Sequence, residues 1–211
     1  MTPGGALADG LRALGLELDA AARQKLLAYV ALLEKWNRVY NLTAIREPGR
    51  MLTHHLLDSL AVLCHLPEAA SLRLVDIGSG GGSPGIPLAI ARPRWQVSLV
   101  ERSRKKASFL RQAQAELALA NLEIVEARVE DYDPAPLFDA AISRAFSDLA
   151  DFAAAAERVT RLGARWFAMK GSRPTEEIAA LPASVRVIDV PRLSVPGLAA
   201  ERHVVIMERT A

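Results

Sequence analysis

A glycine-rich segment is the first place in this chain where residue types and spacing point to chemistry. In VDIGSGGGSPGIPLAIA, Asp76 and Gly78 end an apolar run, and Gly78, Gly80 and Gly82 alternate before a helical pattern begins. Glycine tolerates positive φ and lets a ligand lie against bare backbone, and a helix start offers free N–H groups. Glu101 ends the next apolar run, 23 residues after Gly78, where a ribose-binding carboxylate belongs in a Rossmann-like fold. The combination predicts a nucleotide-cofactor site.

The spacing of the glycines indicates which nucleotide is bound. A dinucleotide site has the order G-x-G-x-x-G, whereas here the glycines recur at every second residue after an aspartate, which resembles the D-x-G-x-G-x-G loop of S-adenosylmethionine-dependent methyltransferases. The run ARVEDY (127–132) follows the third strand pattern, where such enzymes hold adenine with backbone groups and an acidic residue. No P-loop Lys-Ser/Thr is present, which argues against triphosphate hydrolysis. The alternatives are that Asp76 only caps a turn and that Glu130 is a solvated charge.

Alternating strand and helix patterns predict the fold that positions these residues. Helices are expected at 19–38, with Asp19 as its cap, and at 50–65, ended by Pro67. Strands are expected at 72–78, 95–101, 122–127, 138–143, 164–170, 184–190 and 203–208, and further helices at 103–119, 148–162 and 175–181. This alternation predicts a doubly wound, mostly parallel sheet of seven strands. The last strands follow each other without a full helix between them, which predicts an antiparallel edge strand.

The residues near the expected fourth strand narrow the reaction. Exocyclic amine methylation usually uses an Asn/Asp-Pro-Pro-aromatic turn, but the chain reads Ser143-Arg144-Ala145-Phe146 there. Methylation of pyrimidine C5 needs a cysteine nucleophile, and Cys64 falls among apolar helical neighbours, where packing is the simpler interpretation. An acceptor atom that has no proton to remove would need only alignment with the methyl group and no general base.

Composition limits the class of protein. The 211 residues suit one domain, with 51% apolar residues, 24% charged residues and a net charge of +2. No apolar stretch is long enough for a membrane span, the N-terminal residues do not resemble a signal peptide, and a single cysteine excludes a disulfide framework. We therefore expect a cytoplasmic protein that does not bind membranes. Basic clusters at 35–50 and 101–111 either neutralise phosphates or form solvated helix faces.

Seven motifs in one order carry a resemblance to a known family. They are KWNRVYNLTAI (35–45), HLLDSL (55–60), DIGSGGGSPGIPLAI (76–90), RKKASFLR (104–111), FDAAISRAF (138–146), MKG (169–171) and ERHVVIME (201–208). Together they resemble the RsmG family, also called glucose-inhibited division protein B, over roughly residues 30–208. SPGIPLAI and SRAF are specific to this family. The chain departs from common relatives at 79–83, where Ser-Gly-Gly-Gly-Ser replaces a proline and a larger apolar residue but keeps the alternating glycines.

The resemblance implies a fold, a cofactor and a substrate. The implied fold is α/β, a Rossmann-like class I methyltransferase with an N-terminal helical cap at 1–68 and a methyltransferase domain at 69–211, forming one compact unit. The implied donor is S-adenosyl-L-methionine. The implied acceptor is N7 of a guanine in the 530-loop region of 16S rRNA (guanine 527 in reference rRNA numbering), within the small ribosomal subunit. A monomer without a metal is expected.

The same resemblance implies functions for individual residues. The expected cofactor ligands are Asp76, Gly78, Gly80, Gly82, Ser83, Glu101, Arg128, Val129, Glu130 and Arg144, with Arg144 also the positioning group for catalysis. The expected RNA contacts are Asn37, Asn41, Arg102, Lys105, Lys106 and Lys170.

Several of these roles have structural alternatives. Asn37 and Asn41 could instead order the turn at 41–45, and Arg144 could pair with Asp148. His55, Asp58 and Ser59 share a helix face and are expected to tether the cap to the sheet rather than to act in transfer.

Two rival functions remain at this point. One is a methyltransferase of the same fold that acts on a small molecule or a protein, which the basic clusters disfavour. The other is a nucleotide-binding regulatory module without activity, which the glycine loop, Glu101 and Arg144 disfavour.

Overall fold

A seven-stranded sheet forms the centre of the protein in the computed structural model, which describes residues 2–144, 146 and 148–210. The strands are β1 (Arg73–Ile77), β2 (Gln96–Val100), β3 (Leu122–Val125), β4 (Phe138–Ser143), β5 (Thr160–Lys170), β6 (Val185–Asp189) and β7 (His203–Arg209). Their order across the sheet is β3-β2-β1-β4-β5-β7-β6. β1 to β5 pair in parallel, so their carboxyl ends meet at one edge, where ligands bind in such folds.

The predicted antiparallel strand exists but its position was wrong. β7 runs antiparallel to both β5 and β6 and lies between them, so the edge strand is β6. The apolar character of Val204, Val205 and Ile206 explains the difference, because all three are buried. A strand with consecutive buried residues needs cover on both faces and suits the interior of a sheet, whereas most of β6 is exposed or half-buried.

The helices cover both faces of the sheet. They are α1 (Pro3–Ala13), α2 (Ala20–Tyr40), α3 (Pro48–Met51), α4 (Asp58–Ala61), α5 (Gly85–Ala91), α6 (Arg104–Glu116), α7 (Leu149–Val159) and α8 (Thr175–Ala179). Asp19 caps α2 as predicted, accepting a 2.7 Å hydrogen bond from the Ala22 N–H. α1 was not predicted. Thr2 and Pro3 begin it, and the fully buried Leu7 supplies the packing that its glycines lack.

The second predicted helix, 50–65, is composite in the structure. α3 leads into a π-helical turn at Leu52–Leu57, which leads into α4 and a 3₁₀ turn at Val62–His65. The N–H of Asp58 bonds to the carbonyl of Thr53, five residues back. π-Turns of this kind are frequent at functional sites.

The helical cap and the sheet share one hydrophobic core. Leu26 of α2 and Leu56 of the π-turn are fully buried in the same cluster as Leu74 of β1 and Leu99 of β2. The helices within residues 2–68 therefore form a layer of the fold that packs directly on the part that carries the glycine loop. Within the described part of the chain, no helix has the length and apolar character needed to cross a membrane.

Candidate active site

The glycine loop after β1 is shaped by backbone conformations that favour glycine. Gly78, Gly80 and Gly82 have φ of 74°, 57° and 87°. A Cβ on Gly82 would lie 2.4 Å from the Ile86 side chain, whereas one on Gly80 would meet nothing closer than 3.9 Å. Gly80 therefore leaves open surface beside the loop, and Gly82 allows the loop to pack against the start of α5.

Asp76 supports this loop from below. Its carboxylate is fully buried, and Oδ2 accepts a 2.9 Å hydrogen bond from the Gly85 N–H at the start of α5. The other oxygen, Oδ1, is buried without a hydrogen-bond partner among the described residues. Burial raises the pKa of Asp76 to about 7. A role for Asp76 as a turn cap accounts for the hydrogen bond from Gly85. It does not account for the buried Oδ1 that has no partner in the described part of the chain.

Glu101 joins the glycine loop to the end of β2. Its Oε2 accepts a 2.9 Å bond from the Gly80 N–H, and its Oε1 accepts a 2.8 Å bond from the Ser103 N–H. The side chain is buried yet lines an open cleft of about 390 Å³ at the carboxyl ends of β1 and β2. This volume lies in the range of about 300–1,000 Å³ typical of small-molecule sites.

The predicted adenine-binding residues line the same cleft, which we call the β1–β2 cleft. Val129 is buried in its wall within a short 3₁₀ turn, and Arg128 and Glu130 lie beside it on the surface. Arg128 Nε is 3.4 Å from Glu130 Oε2, an exposed ion pair that carries little stability. Phe146 also lines this cleft, with its ring 5.6 Å from that of Phe152. Phe146 therefore lies beside the expected cofactor ligands.

Two further cavities continue from the β1–β2 cleft toward the helical cap. A small cavity of about 150 Å³, the loop cavity, shares Gly78 and Lys106 with the β1–β2 cleft. A third, the cap cleft, has about 380 Å³ and shares Thr43, His55 and Arg144 with the loop cavity. Because each cavity shares lining residues with the next, the three lie side by side along the carboxyl edge of the sheet, and we call this row of cavities the path.

Arg144 lies where the loop cavity meets the cap cleft. Its Nη1 donates to the His54 carbonyl at 2.9 Å and lies 3.5 Å from Asp58 Oδ2, and its Nη2 donates to His55 Nδ1 at 2.8 Å. Asp58 also accepts a 3.1 Å bond from Arg202 Nε. The expected alternative partner Asp148 instead caps α7 through the Ala150 and Asp151 N–H groups, so that alternative was wrong.

Buried ionisable groups of the cap surround Arg144. Burial, together with the Arg144 charge, lowers the pKa of His55 to about 3, so the ring is neutral at physiological pH. Burial raises the pKa of Asp58, and the guanidiniums of Arg144 and Arg202 act against that rise. The predicted tethering face is thus in contact with the sheet: His55 and Asp58 reach Arg144, and the Ser59 hydroxyl donates to the His55 carbonyl.

The two asparagines of the first basic cluster lie in different surroundings. Asn37 is buried, and its amide bonds Thr43 N–H at 2.8 Å and the Ile45 carbonyl at 3.0 Å. These contacts order the 41–45 turn and leave Asn37 inaccessible to RNA, which contradicts the RNA-contact expectation. Asn41 is exposed, ends α2 in the left-handed conformation, and accepts a 3.3 Å bond from Arg46.

The expected RNA-binding cations divide into three environments. Arg102 and Lys105 are exposed at the start of α6, with the Lys105 ammonium 5.0 Å from the centre of the Tyr40 ring. Lys106 is half-buried and lines both the β1–β2 cleft and the loop cavity. Lys170 lines the cap cleft, where Nζ contacts Glu177 Oε2 at 2.7 Å and the Phe146 carbonyl at 3.2 Å.

Four contributors to the site were missed from the sequence. The buried Tyr29 hydroxyl donates to the Gly81 carbonyl at 2.7 Å and lies 2.9 Å from the Ser83 hydroxyl, which fixes the glycine loop to α2. Burial raises the pKa of this Tyr29 to about 12. Gly85, Thr43 and Arg202 are the others.

A signal existed for only some of these residues. Gly85 immediately precedes an apolar helix and could have been read as a close-packing position. Tyr29 and Arg202 depend on contacts with residues more than 50 positions away, which no local pattern shows. Cys64 was misjudged, because it is exposed rather than packed among its apolar neighbours.

The residues of the β1–β2 cleft fit an adenosine-type cofactor that carries a positive charge. The Glu101 carboxylate in this cleft and the bare backbone of Gly80 in the adjoining loop cavity are the features such a ligand uses, and the buried Asp76 carboxylate supports the loop from behind. The described residues include no group of three His, Cys, Asp or Glu side chains that could hold a metal ion.

Comparisons with known proteins give concordant results. Residues 22–205 match the sequence profile of a family described as GidB, rRNA small subunit methyltransferase G. A protein of Aromatoleum aromaticum named Ribosomal RNA small subunit methyltransferase G is 54% identical over 207 residues, which cover 96% of this chain and 97% of that protein. One of the same name from Laribacter hongkongensis is 53% identical and covers 94% of this chain and 95% of its own. Among solved structures, TYW2 of M. jannaschii in complex with AdoMet superposes with a TM-score of 0.53 at 16% identity, covering 73% of this chain and 74% of that one.

Proposed function

Since this chain belongs to the rRNA small subunit methyltransferase G family, we propose that it methylates N7 of a guanine in the 530-loop region of 16S rRNA (guanine 527 in reference rRNA numbering), with S-adenosyl-L-methionine as donor. Relatives named Ribosomal RNA small subunit methyltransferase G match this chain along nearly their whole length. The observation that carries the proposal is the row of three adjacent cavities, in which the loop cavity shares lining residues with both the β1–β2 cleft and the cap cleft. This arrangement gives the methyl donor and the acceptor separate pockets that adjoin each other.

The donor belongs in the β1–β2 cleft and the loop cavity. Glu101 offers ribose hydroxyls a carboxylate already fixed by Gly80 and Ser103 N–H groups. The wall around Val129, with Arg128 and Glu130 at its rim, suits an adenine ring. The backbone of Gly78 and Gly80, held in place by the Ser83–Tyr29 contact, suits the amino-acid part, and Gly82 supports it by packing the loop on α5. When bound, S-adenosylmethionine supplies a methyl group on a sulfonium, which makes that carbon electrophilic.

The acceptor belongs in the cap cleft. A guanine there faces Arg144, an obligate hydrogen-bond donor that can contact O6, and Lys170, whose ammonium suits a phosphate or base oxygen. Methylation leaves a positive charge on the imidazole ring of guanine, so Arg144 should contact O6 rather than approach N7. N7 carries a free lone pair, so the described residues need only align it with the methyl group and exclude water.

The surface beside the β1–β2 cleft, where Arg102 is a lining residue, suits an RNA backbone. Arg102 and Lys105 are exposed at the start of α6, Asn41 ends α2 nearby, and Tyr40 is 40% exposed beside Lys105. Cations of this kind contact phosphates and position an RNA without selecting its sequence. We propose that the protein acts as a monomer on rRNA within the small subunit, in the cytoplasm.

A methyl-transfer assay tests the proposal directly. Small subunits and 16S rRNA from cells that lack this protein are incubated with it and tritiated S-adenosylmethionine, and the labelled nucleotide is located by mass mapping. A matched RNA with 7-deazaguanine at the target should bind with similar affinity and accept no label. Transfer to the 7-deaza RNA would refute N7 as the acceptor. Absence of transfer to both the small subunits and the free 16S rRNA would refute the rRNA function.

A further inference from the structure

Arg144 is held by three groups of one helical turn, all from the cap. The His54 carbonyl, the His55 ring and Asp58 Oδ2 receive its Nη1 and Nη2 protons at 2.9, 2.8 and 3.5 Å. A guanidinium has five N–H donors. The Nε–H and one Nη2–H are left without a partner among the described residues. Because the side chain is 25% exposed and lines the cap cleft, these donors can reach a ligand there.

The π-turn explains how one turn supplies so many acceptors. In a regular α-helix the Asp58 N–H would bond the His54 carbonyl, four residues back. Here that N–H is shared between the Thr53 and His55 carbonyls, and the His54 carbonyl accepts from Arg144. The wider turn thus places a backbone oxygen beside the His55 ring and the Asp58 carboxylate, facing the end of β4.

The hydrogen bonds of His55 define its tautomer. Arg144 only donates, so His55 Nδ1 must accept and carry no proton. The proton therefore lies on Nε2, which donates to Thr43 Oγ1 at 2.8 Å. Thr43 is fixed in turn by the buried Asn37 and by the Ile45 N–H. This chain of contacts extends from α2 to Arg144 through a neutral ring.

We propose that His55 is a positioning residue that holds the Arg144 guanidinium through Nδ1 so that its remaining donors face an acceptor base in the cap cleft. The inference rests on the proposed methyl transfer. A free arginine side chain samples many rotamers, and donors that are already oriented contribute most to stabilising a transition state. The pKa of about 3 keeps His55 neutral, so Nδ1 remains an acceptor throughout the physiological range.

Two isosteric variants separate the two nitrogens of the ring. In His55→Asn the amide oxygen lies near the position of Nδ1 and can still accept from Arg144, whereas His55→Gln reaches the position of Nε2 and keeps only the Thr43 contact. We expect His55→Gln to lower kcat of methyl transfer about 30- to 100-fold, with the Kd for S-adenosylmethionine changed less than threefold. His55→Asn should retain kcat within about fivefold of the wild type. Equal losses in the two variants, or a loss confined to cofactor affinity, would overturn the proposal.

A measurement that does not depend on activity accompanies the kinetics. In ¹⁵N spectra of histidine-labelled protein, His55 should show the Nε2–H tautomer and no titration between pH 5 and 8. Arg144→Lys should shift its Nδ1 resonance, because a flexible ammonium replaces the planar donor. A protonated ring, or a Nδ1 signal unchanged in Arg144→Lys, would refute the contact even if a variant misfolds. Absence of transfer by the wild type would instead refute the proposed function and leave this spectroscopic test standing.

Discussion

Replacing Asp76 by Asn should raise the free energy of unfolding relative to wild type, and the difference should increase with pH. In the wild type this carboxyl is fully buried, one oxygen accepts the Gly85 N–H, and the other has no partner among the described residues. Asparagine preserves the shape and keeps an oxygen for Gly85, but it cannot ionise. The substitution therefore removes the cost of ionising a buried carboxyl.

The size of the effect follows from the shift in pKa. Burial raises the pKa of Asp76 from 3.8 to about 7, so between these values the folded state binds more protons than the unfolded state. Stability then decreases as pH rises through this window. A shift of about three units at about 1.4 kcal/mol each gives a cost of about 4 kcal/mol above pH 7. Wild type and Asp76→Asn should unfold with similar free energies near pH 4 and differ by about 4 kcal/mol at pH 8.

Urea unfolding at fixed ionic strength between pH 4 and 8, monitored by far-UV circular dichroism, measures this difference. Asp139→Asn is the matched control, because hydrogen bonds from Arg161 and the Arg73 N–H lower the pKa of Asp139 despite partial burial. Its carboxylate is ionised in both the folded and the unfolded state above about pH 5, so the difference in stability between wild type and this control should stay nearly constant from pH 5 to 8. A pH-independent difference between wild type and Asp76→Asn would refute the reasoning.

The remaining predictions concern the cofactor loop and the clefts. Glu101→Ala should weaken S-adenosylmethionine binding by about 1–3 kcal/mol in calorimetry, because ribose hydroxyls lose a charged acceptor; unchanged affinity would contradict the assignment. Gly80→Val should fold yet bind no cofactor, since φ of 57° disfavours a β-branched residue and its side chain would cover the ligand surface; normal binding would make the loop structural only. Lys106→Met should reduce cofactor affinity more than Lys105→Met, because Lys106 lines two cavities of the path whereas Lys105 is exposed; equal effects would contradict this. Binding of RNA should weaken with salt and with Arg102→Glu, as measured by filter binding, whereas salt-independent binding would argue against phosphate contacts.

Much of the fold follows from local sequence patterns. Strands such as 138–143 were predicted because a buried parallel strand is a short apolar run, and Asp19 marked the start of α2. The position of β7 could not be predicted, because strand order depends on which edges are open after the rest of the sheet forms. Helix α1 was missed because its tertiary contact through Leu7 outweighs the weak propensity of its glycines.

The site was predictable where function is carried by the backbone. The alternating glycines and Glu101 are brought together as expected, because the loop and the strand end are adjacent in any fold of this class. The contacts of Arg144 could be predicted only in part. His55 and Asp58 were assigned to a tether between cap and sheet, but the π-turn that aims a carbonyl at Arg144 has no recognisable pattern. The prediction that Asn37 contacts RNA was wrong because the side chain is buried, where it orders the 41–45 turn.

The insertion of β7 between β5 and β6 has a consequence for the order of events during synthesis. Residues 160–170 and 185–189 leave the ribosome before residues 203–209. Because β6 pairs only with β7 among the described strands, the sheet ends at an open edge of β5 until β7 is added, and β6 has no strand to pair with. Arg202 directly precedes β7, so we expect its ion pair with Asp58 to form when that strand joins the sheet. The nascent chain can therefore build its glycine loop early, but the cap cleft is completed last. An incompletely synthesised chain could hold a nucleotide and still lack a finished acceptor pocket, while its open strand edges make it a substrate for chaperones.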